Sequence, residues 1–492
     1  MKMLFVIPKN KSLYGGESLT NYPHTGVAYL SAFLRSYGVE IQIFDDGIEP
    51  DRLKLFHVID EYDPDLIGLT AYAYNYDYAC DLSKIIKSKY SIPLVIGGVH
   101  VSSAKKEAIK GNDIEFAIKH EGEYSLLELL TELSNKGNDY KRIKGLIWKD
   151  HSGEIVENSD RPYVKDIDSL PFPDYENFDL KKYNYYNKRT LPIISSRGCP
   201  YKCNYCSVKL SMGTEFRARS AKKVVEEIES YYHKGWANFE INDDCFTLNI
   251  KRAEGICDLI LEKKLKITFQ FLNGIRADMV TPQLLVKMKH AGCTYISYGC
   301  ETGSERVLKI IKKGIDLQKV RNAVKWTNEA KITNSVNFMI GHTEETYEDA
   351  LETVRFAKFL PANYVNFYNH IPFPGTEAFN WVREKAILVS SWADSLNNIT
   401  TIKDDPIFET KEFTKGQREM VLKIGRNLHD KQYMCFKFGR ILGSFIYAVT
   451  RIDAINQFLA RFVLDTQTGN KFLFMIYILA SKIRGIFAHD TK

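Results

Sequence analysis

The chain has 492 residues, a hydrophobic share of 45%, a charged share of 26% and a formal net charge of +6. That composition excludes a disordered, collagen-like or small disulfide-stapled protein, and the length implies two or three domains. The charge is uneven: residues 411–492 carry 14 Lys and Arg against 6 Asp and Glu, so the remainder is close to neutral.

The opening MKMLFVIPKN holds a short apolar run and no small-residue cleavage site, which predicts a first buried strand and not a signal peptide, and a cytoplasmic protein. Through residue 140 the apolar runs MLFVIP, VEIQIFDD, DLIGLTAY, IPLVIGGVH and EFAIKH alternate with helical periodicity near 26–37, 51–61, 76–90 and 101–110. Near-continuous apolar strands between helices predict an α/β, doubly wound, Rossmann-like domain with its ligand crevice beyond the carboxyl ends of the strands. Within 141–190, KGLIWKDHSGEIVENSDRPYV predicts a hairpin turning at Asp150 to Gly153, and DSLPFPDYENF a proline-punctuated connector.

From 191 to 385 six strand–helix units follow: PIISSR, NFEIND, ITFQFLNG, TYISYGCE, TNSVNFMIG and YVNFYNHIP begin them. They suit an open sheet or a partial (β/α)6 TIM barrel, whose chemistry sits on the loops after the strands. Cys199, Asp243, Asp244, Glu301 and His342 all fall on such loops. Residues 386–492 lose this rhythm and predict a small, mainly helical C-terminal domain that selects the substrate. Its most apolar stretch, FLFMIYILA at 472–480, is far short of the ~20 residues that span a bilayer. It reads as a buried helix, the alternative being a basic amphipathic helix that touches lipid.

Nine irregularly spaced cysteines argue against a disulfide framework and for metal or redox chemistry where they cluster. Cys199, Cys203 and Cys206 form C-x3-C-x2-C on a loop opened by Gly198 and Pro200, whereas Cys245, Cys257, Cys293 and Cys300 read as replaceable. A structural zinc site takes four protein ligands, and neither a second C-x2-C pair nor H-x3-H lies downstream. Three thiolates on one loop suit a cubane iron–sulfur cluster with one iron left open.

With an aromatic residue, Tyr205, before the last cysteine, this motif resembles the signature of the radical S-adenosylmethionine (SAM) enzymes. The resemblance implies a [4Fe-4S] cluster on Cys199, Cys203 and Cys206, SAM chelated at the open iron, and its reductive splitting to methionine and a 5′-deoxyadenosyl radical. It implies that Tyr205 packs on the nucleoside. In FEINDDCFTLN it places Asn242, Asp243 and Asp244 at the SAM amino group, helix capping being the alternative for the two aspartates. In YGCETGSERVL it makes Glu301 face SAM. FMIGHTEE and IPFPGTEAF look like later landmarks of the same family. His342, in the former, reads either as a residue at a helix start or as a substrate-facing acid or base.

The runs YPHTGVAYLSAFLRSYGVEIQIFDD, LIGLT, VIGGVHVSSAKKEAI and HEGEYSLLELL resemble the cobalamin (B12)-binding domain of the cobalamin-dependent radical SAM class, so that the likeness covers residues 1 to about 385. It implies cobalamin near Thr70, Gly97, Gly98, His100, Glu121 and Gly122, the glycines alternatively serving tight turns. The D-x-H-x-x-G motif with which many cobalamin carriers ligate cobalt is absent. The resemblance as a whole implies an enzyme that methylates an unactivated carbon, with an electron donor such as flavodoxin or ferredoxin. The basic excess and aromatic content of the C-terminal region point to a hydrophobic or lipid-like metabolite and to peripheral membrane contact through that region. Nucleic acid is not expected as a partner, because the basic residues of that region are interleaved with apolar ones. The alternatives are a cobalamin-associated cyclase or carbon–carbon bond-forming enzyme, an RNA-modifying radical SAM enzyme, and an iron–sulfur or cobalamin sensor.

Overall fold

The computed structural model describes residues 1–9, 22–183, 189–389 and 405–451; the run 472–480 lies outside the described residues. Strands β1 (Lys2–Ile7), β2 (Glu40–Asp45), β3 (Leu66–Thr70), β4 (Leu94–Gly97) and β5 (Phe116–Ile118) pair in parallel in the order β2-β1-β3-β4-β5. Helices α1 (Thr25–Ser36) and α5 (Glu123–Ser134) pack their apolar residues on one face, and α2 (Arg52–Tyr62) and α3 (Tyr76–Lys87) on the other. Burial on both sides is what makes these strands read as unbroken apolar runs. The strand order reverses between β1 and β3, so the crevice lies outside their carboxyl ends, beside Thr70 and Gly97.

Strands β6 (Leu146–Lys149) and β7 (Ile155–Glu157) form the expected hairpin, and β6 also pairs antiparallel with β5, opposing Phe116 to Trp148. The hairpin thus extends the first sheet to seven strands. Its periodicity shows that two strands pair, but not which exposed edge they cover.

The second sheet contains β8 (Leu191–Ile193), β11 (Asn238–Ile241), β12 (Thr268–Ile275), β13 (Cys293–Glu301), β14 (Thr333–Ile340) and β15 (Tyr364–Asn369), all parallel, each beside its neighbour in sequence. This is the expected six-stranded partial barrel. Between β8 and β11 a short antiparallel ribbon, β9 (Ser196–Arg197) with β10 (Arg217–Ala218), brackets the cysteine loop and the single-turn helix α6 (Val208–Ser211).

The two sheets share one continuous core. It runs from Val27 and Leu129 through Leu170, Tyr175 and Phe178 of the connector to Leu191 and Ile228 in the barrel. Tyr29 Oη also donates to the Ile194 carbonyl at 3.2 Å. The C-terminal helix Lys415–Phe438 lies along β15, where Gly425 fits against the Phe367 ring and His429 Nδ1 meets the Val365 carbonyl oxygen at 2.8 Å. Tyr364 is enclosed there by His429, Tyr433 and Phe436. Among the described residues, no helix is long and apolar enough to cross a membrane.

Candidate active site

The cysteines lie on the loop between β9 and α6. Gly198 has φ +81°, and a Cβ there would fall 2.3 Å from the Glu215 carbonyl oxygen, so this tight turn requires glycine. The Gly198 N–H donates to Asp244 Oδ2 at 3.0 Å. The Asp243 carboxylate accepts from the Ser195 N–H and hydroxyl, both at 2.5 Å, and from the Ser196 hydroxyl at 2.7 Å. Burial raises both aspartates' pKa values, Asp244's to about 6, and these donors offset part of the cost. Neither aspartate caps a helix, since Cys245 and Asn249 hold those positions; both brace the turn that carries Cys199. Asn242 differs, because its side-chain Oδ1 is buried with no hydrogen-bond partner among the described residues.

Burial pushes the Cys203 thiol up and the Cys206 thiol up to about 11, whereas the Cys245 thiol, donating to Cys199, draws Cys199 down to about 7. Cys245 had read as replaceable; the structure places it against Cys199. The positive charges of Lys313 and Arg276 act on Cys203. Three soft sulfur ligands on one loop fit an iron–sulfur cluster better than a hard cation, and iron would deprotonate them outright. Among the described residues no three His, Cys, Asp or Glu side chains gather around a single-ion position; in a cubane each thiolate meets its own iron.

Glu301 ends β13 in the left-handed region, φ +74°, where the pairing with β14 slips between Gly299 and Glu301. Lys313 Nζ donates to Glu301 Oε1 at 2.7 Å and to Tyr205 Oη at 3.2 Å, joining the two residues expected at SAM. His342 and His370 follow β14 and β15, with ring centroids 5.1 Å apart and 5.7 and 6.3 Å from Tyr205. His342 does not start a helix: the helix Tyr347–Phe359 begins later, capped by Thr346. Its ring is fully buried and neither nitrogen has a hydrogen-bond partner among the described residues, although the Glu301 carbonyl lies near enough to favour its protonation slightly.

Burial lowers both imidazoles to about 3, so each is neutral in the folded chain. Between pH 6.5 and 3 the unfolded chain therefore binds more protons than the folded one. Stability is expected to be unaffected by these rings above pH 6.5 and to fall below it, by up to about 1.4 kcal/mol per pH unit for each histidine. Urea midpoints measured from pH 7 to 5 should show a shallower loss in His370→Gln than in the native chain.

In the first domain, Thr70 Oγ1 lies 3.3 Å from His24 Nε2, and His24 Nδ1 accepts from the Val27 N–H, so His24 fixes Thr70 at the crevice. Tyr72 and Tyr74 stack at 5.2 Å, and His100 packs on Tyr76 at 4.2 Å with its Nδ1 buried and unpartnered. A Cβ at Gly97 would meet nothing nearer than 3.9 Å. Open backbone, aromatic surface and an unmet polar atom fit a large flat ligand such as cobalamin. Gly98 is needed for another reason: with φ +111°, its Cβ would fall 2.6 Å from the Ala71 carbonyl oxygen of the adjacent segment.

Glu121 and Gly122 depart from the sequence reading, since Glu121 faces the barrel and Gly122 packs inside the first domain. Glu121 accepts from Arg197 Nη1 at 2.8 Å, Arg217 Nη1 at 2.7 Å and the Val164 N–H at 2.7 Å. Arg197 also pairs with Glu123 at 2.9 Å. Gly122 packs under Leu30. Arg197 stands two residues before Cys199, so this buried ion cluster ties the crevice loop to the cysteine loop. The helix α4 (Val99–Ala104), which opens at the crevice, packs directly against α6.

Residues 193–357 match the family model of the radical SAM superfamily, and residues 12–130 match that of the B12 binding domain. An uncharacterized methyltransferase of Pyrococcus horikoshii is 32% identical over 86% of this chain and 91% of its own. The anaerobic magnesium-protoporphyrin IX monomethyl ester cyclase of Cereibacter sphaeroides is 28% identical over 85% of this chain and 68% of its own. In fold, the chain is similar to the radical SAM methyltransferase TsrM of Kitasatospora setae, solved with cobalamin and a [4Fe-4S] cluster. The TM-score is 0.66 at 21% identity, over 78% of this chain and 74% of that one.

Proposed function

The chain belongs to the radical SAM enzymes that carry a B12-binding domain, and on that premise we propose that it methylates an unactivated carbon of a small hydrophobic metabolite. When bound, the [4Fe-4S] cluster with SAM supplies a carbon radical and cobalamin supplies the methyl group. Cys199, Cys203 and Cys206 would hold the cluster on a loop braced by Asp243 and Asp244. Tyr205 and Glu301, the latter held by Lys313, together with the open Oδ1 of Asn242, would orient SAM. Thr70, Gly97 and His100 would line the cobalamin crevice.

The observation that carries this reading is the shared wall between the two cofactor positions: α4 leaves the crevice and packs on α6, and Arg197 clamps Glu121 and Glu123 beside the cysteine loop. Both donors are then held in one frame, which serves a reaction that depends on the register of reacting groups. The buried rings of His342, His370 and Phe408 keep water from the barrel mouth. A low-potential donor such as flavodoxin or ferredoxin completes the electron balance. Ile441 and Phe445, 89% and 66% exposed on the helix Arg440–Thr450, support peripheral contact with lipid.

The test is to incubate reconstituted protein that retains cobalamin with SAM labelled in its methyl group, and to follow the label into product. Label in a carbon-bound methyl group is the expected result, and full activity without cobalamin would refute the proposal. The likeness to the Cereibacter cyclase favours a second reading, ring closure. It would appear in the same assay as product formation with no label gained.

A further inference from the structure

The helix Lys415–Phe438 brings Arg418 beneath the loop that follows β14, where the residue is 1% exposed. Phe408 and Phe413 cover its guanidinium, with ring centroids 4.2 and 4.9 Å from Cζ, and Nε donates to the Phe413 carbonyl at 3.1 Å. The faces of the group are therefore occupied and its edge is bare: Nη1 and Nη2 have no hydrogen-bond partner among the described residues. Glu345 and Glu409 act on it only from beyond hydrogen-bonding distance. Gly341 permits this placement, because with φ +97° its Cβ would fall 2.5 Å from Nη1.

A buried charge with an unmet edge is costly unless something pairs with it. The unmet capacity around Arg418 extends beyond that residue. Both ring nitrogens of His342, Nε2 of His370 and Oε1 of Glu345 are also buried with no hydrogen-bond partner among the described residues. His370 Nδ1 bonds the Gly341 carbonyl, which leaves Nε2 as an acceptor. His370 meets Phe408 at 6.3 Å and His342 at 5.1 Å, so the cluster reaches from the C-terminal helix to Tyr205 without a break. It lies at the carboxyl ends of β13 to β15, where a barrel of this kind works on its substrate. Burial draws the guanidinium down only to about 10, so it stays charged at neutral pH.

We propose that Arg418 and His342 bind a carboxylate of the substrate at the bare guanidinium edge, with the apolar body of the molecule against Phe408. The substrate is then an amphiphilic carboxylic acid, with His370 Nε2 accepting from a neighbouring hydroxyl or amide. This rests on the reading that the substrate enters the barrel mouth. Arg suits the task because its planar fork pairs with both carboxylate oxygens.

The test is calorimetric titration of the reconstituted full-length protein with octanoate, and with octanamide as the neutral match, in the presence and absence of saturating SAM. Octanoate is expected to bind saturably in both conditions and more tightly than octanamide, and to weaken at least ~10-fold in Arg418→Met. Should that variant fail to fold, Arg418→Lys keeps the charge without the fork, and a several-fold loss with the melting curve retained supports the proposal. Equal binding of octanoate and octanamide, or unchanged octanoate affinity in the variants, would overturn it. So would loss of octanoate binding when SAM is added, which would assign the guanidinium to the carboxylate of SAM. Neither SAM cleavage nor methyl labelling enters this titration, so a failed carboxylate site and a failed methyltransferase reading leave different records.

Discussion

Replacing Cys203 by alanine is expected to abolish the visible absorption of the reconstituted cluster and to reduce 5′-deoxyadenosine formation to background, and Cys199→Ala and Cys206→Ala should do the same. The loss is total because each thiolate serves one iron and the loop holds no spare donor of the same reach. Ultraviolet–visible spectra and product chromatography check this together. Cys257, Cys293 and Cys300 are buried in the core away from the loop, so serine there should cost stability and leave the cluster's spectrum intact. Cys245 stands apart from these three. Its thiol reaches Cys199, so Cys245→Ser should change the cluster's assembly rate or spectrum without abolishing it. Retention of the full spectrum in Cys203→Ala would remove the loop from the metal centre.

The second large effect is expected at Arg197. Its guanidinium is 9% exposed and bridges Glu121 and Glu123, each 5% exposed, across the junction of the two domains. Arg197→Met would leave Glu123 buried without its cation and Glu121 with Arg217 alone. Breaking a buried pair in this way costs about 3–5 kcal/mol. Urea denaturation should show that loss, and gel-filtered protein should retain less cobalamin. Arg197→Lys keeps the charge and should recover most of the stability. A variant as stable as the native chain and equally rich in cobalamin would show that the ion cluster does not join the two sites.

Much of this was legible in the sequence, and the reason is local. The strand runs carry their own burial pattern, and α1 to α3 and the barrel helices announce themselves by period and by caps such as Asn249, Thr281 and Asp316. The cysteine loop is also local, with its three cysteines, its Gly198 turn and Tyr205 inside a single short stretch. What was hidden depends on pairings distant in sequence. Glu121 reads as a cofactor-side acid until Arg197 and Arg217, 76 and 96 positions later, are seen to hold it. Asp243 and Asp244 read as ligands or caps until Ser195 and Gly198 are found to be donating to them. Arg418 gave no signal, since a lone arginine in an amphipathic helix is ordinarily a solvated charge; only its covered faces and bare edge mark it. The hairpin β6–β7 was visible as a hairpin, whereas its attachment to β5 depended on which sheet edge was open.

Cleavage of SAM by the reconstituted protein decides whether the cysteine loop carries radical chemistry. The protein is reconstituted anaerobically with iron and sulfide, given SAM and a reductant, and assayed for 5′-deoxyadenosine and methionine. Both are expected to form in equal amounts in the native chain, and neither should rise above background in Cys203→Ala. A native protein that assembles its cluster and binds SAM but never cleaves it would rule out the radical chemistry proposed for this site.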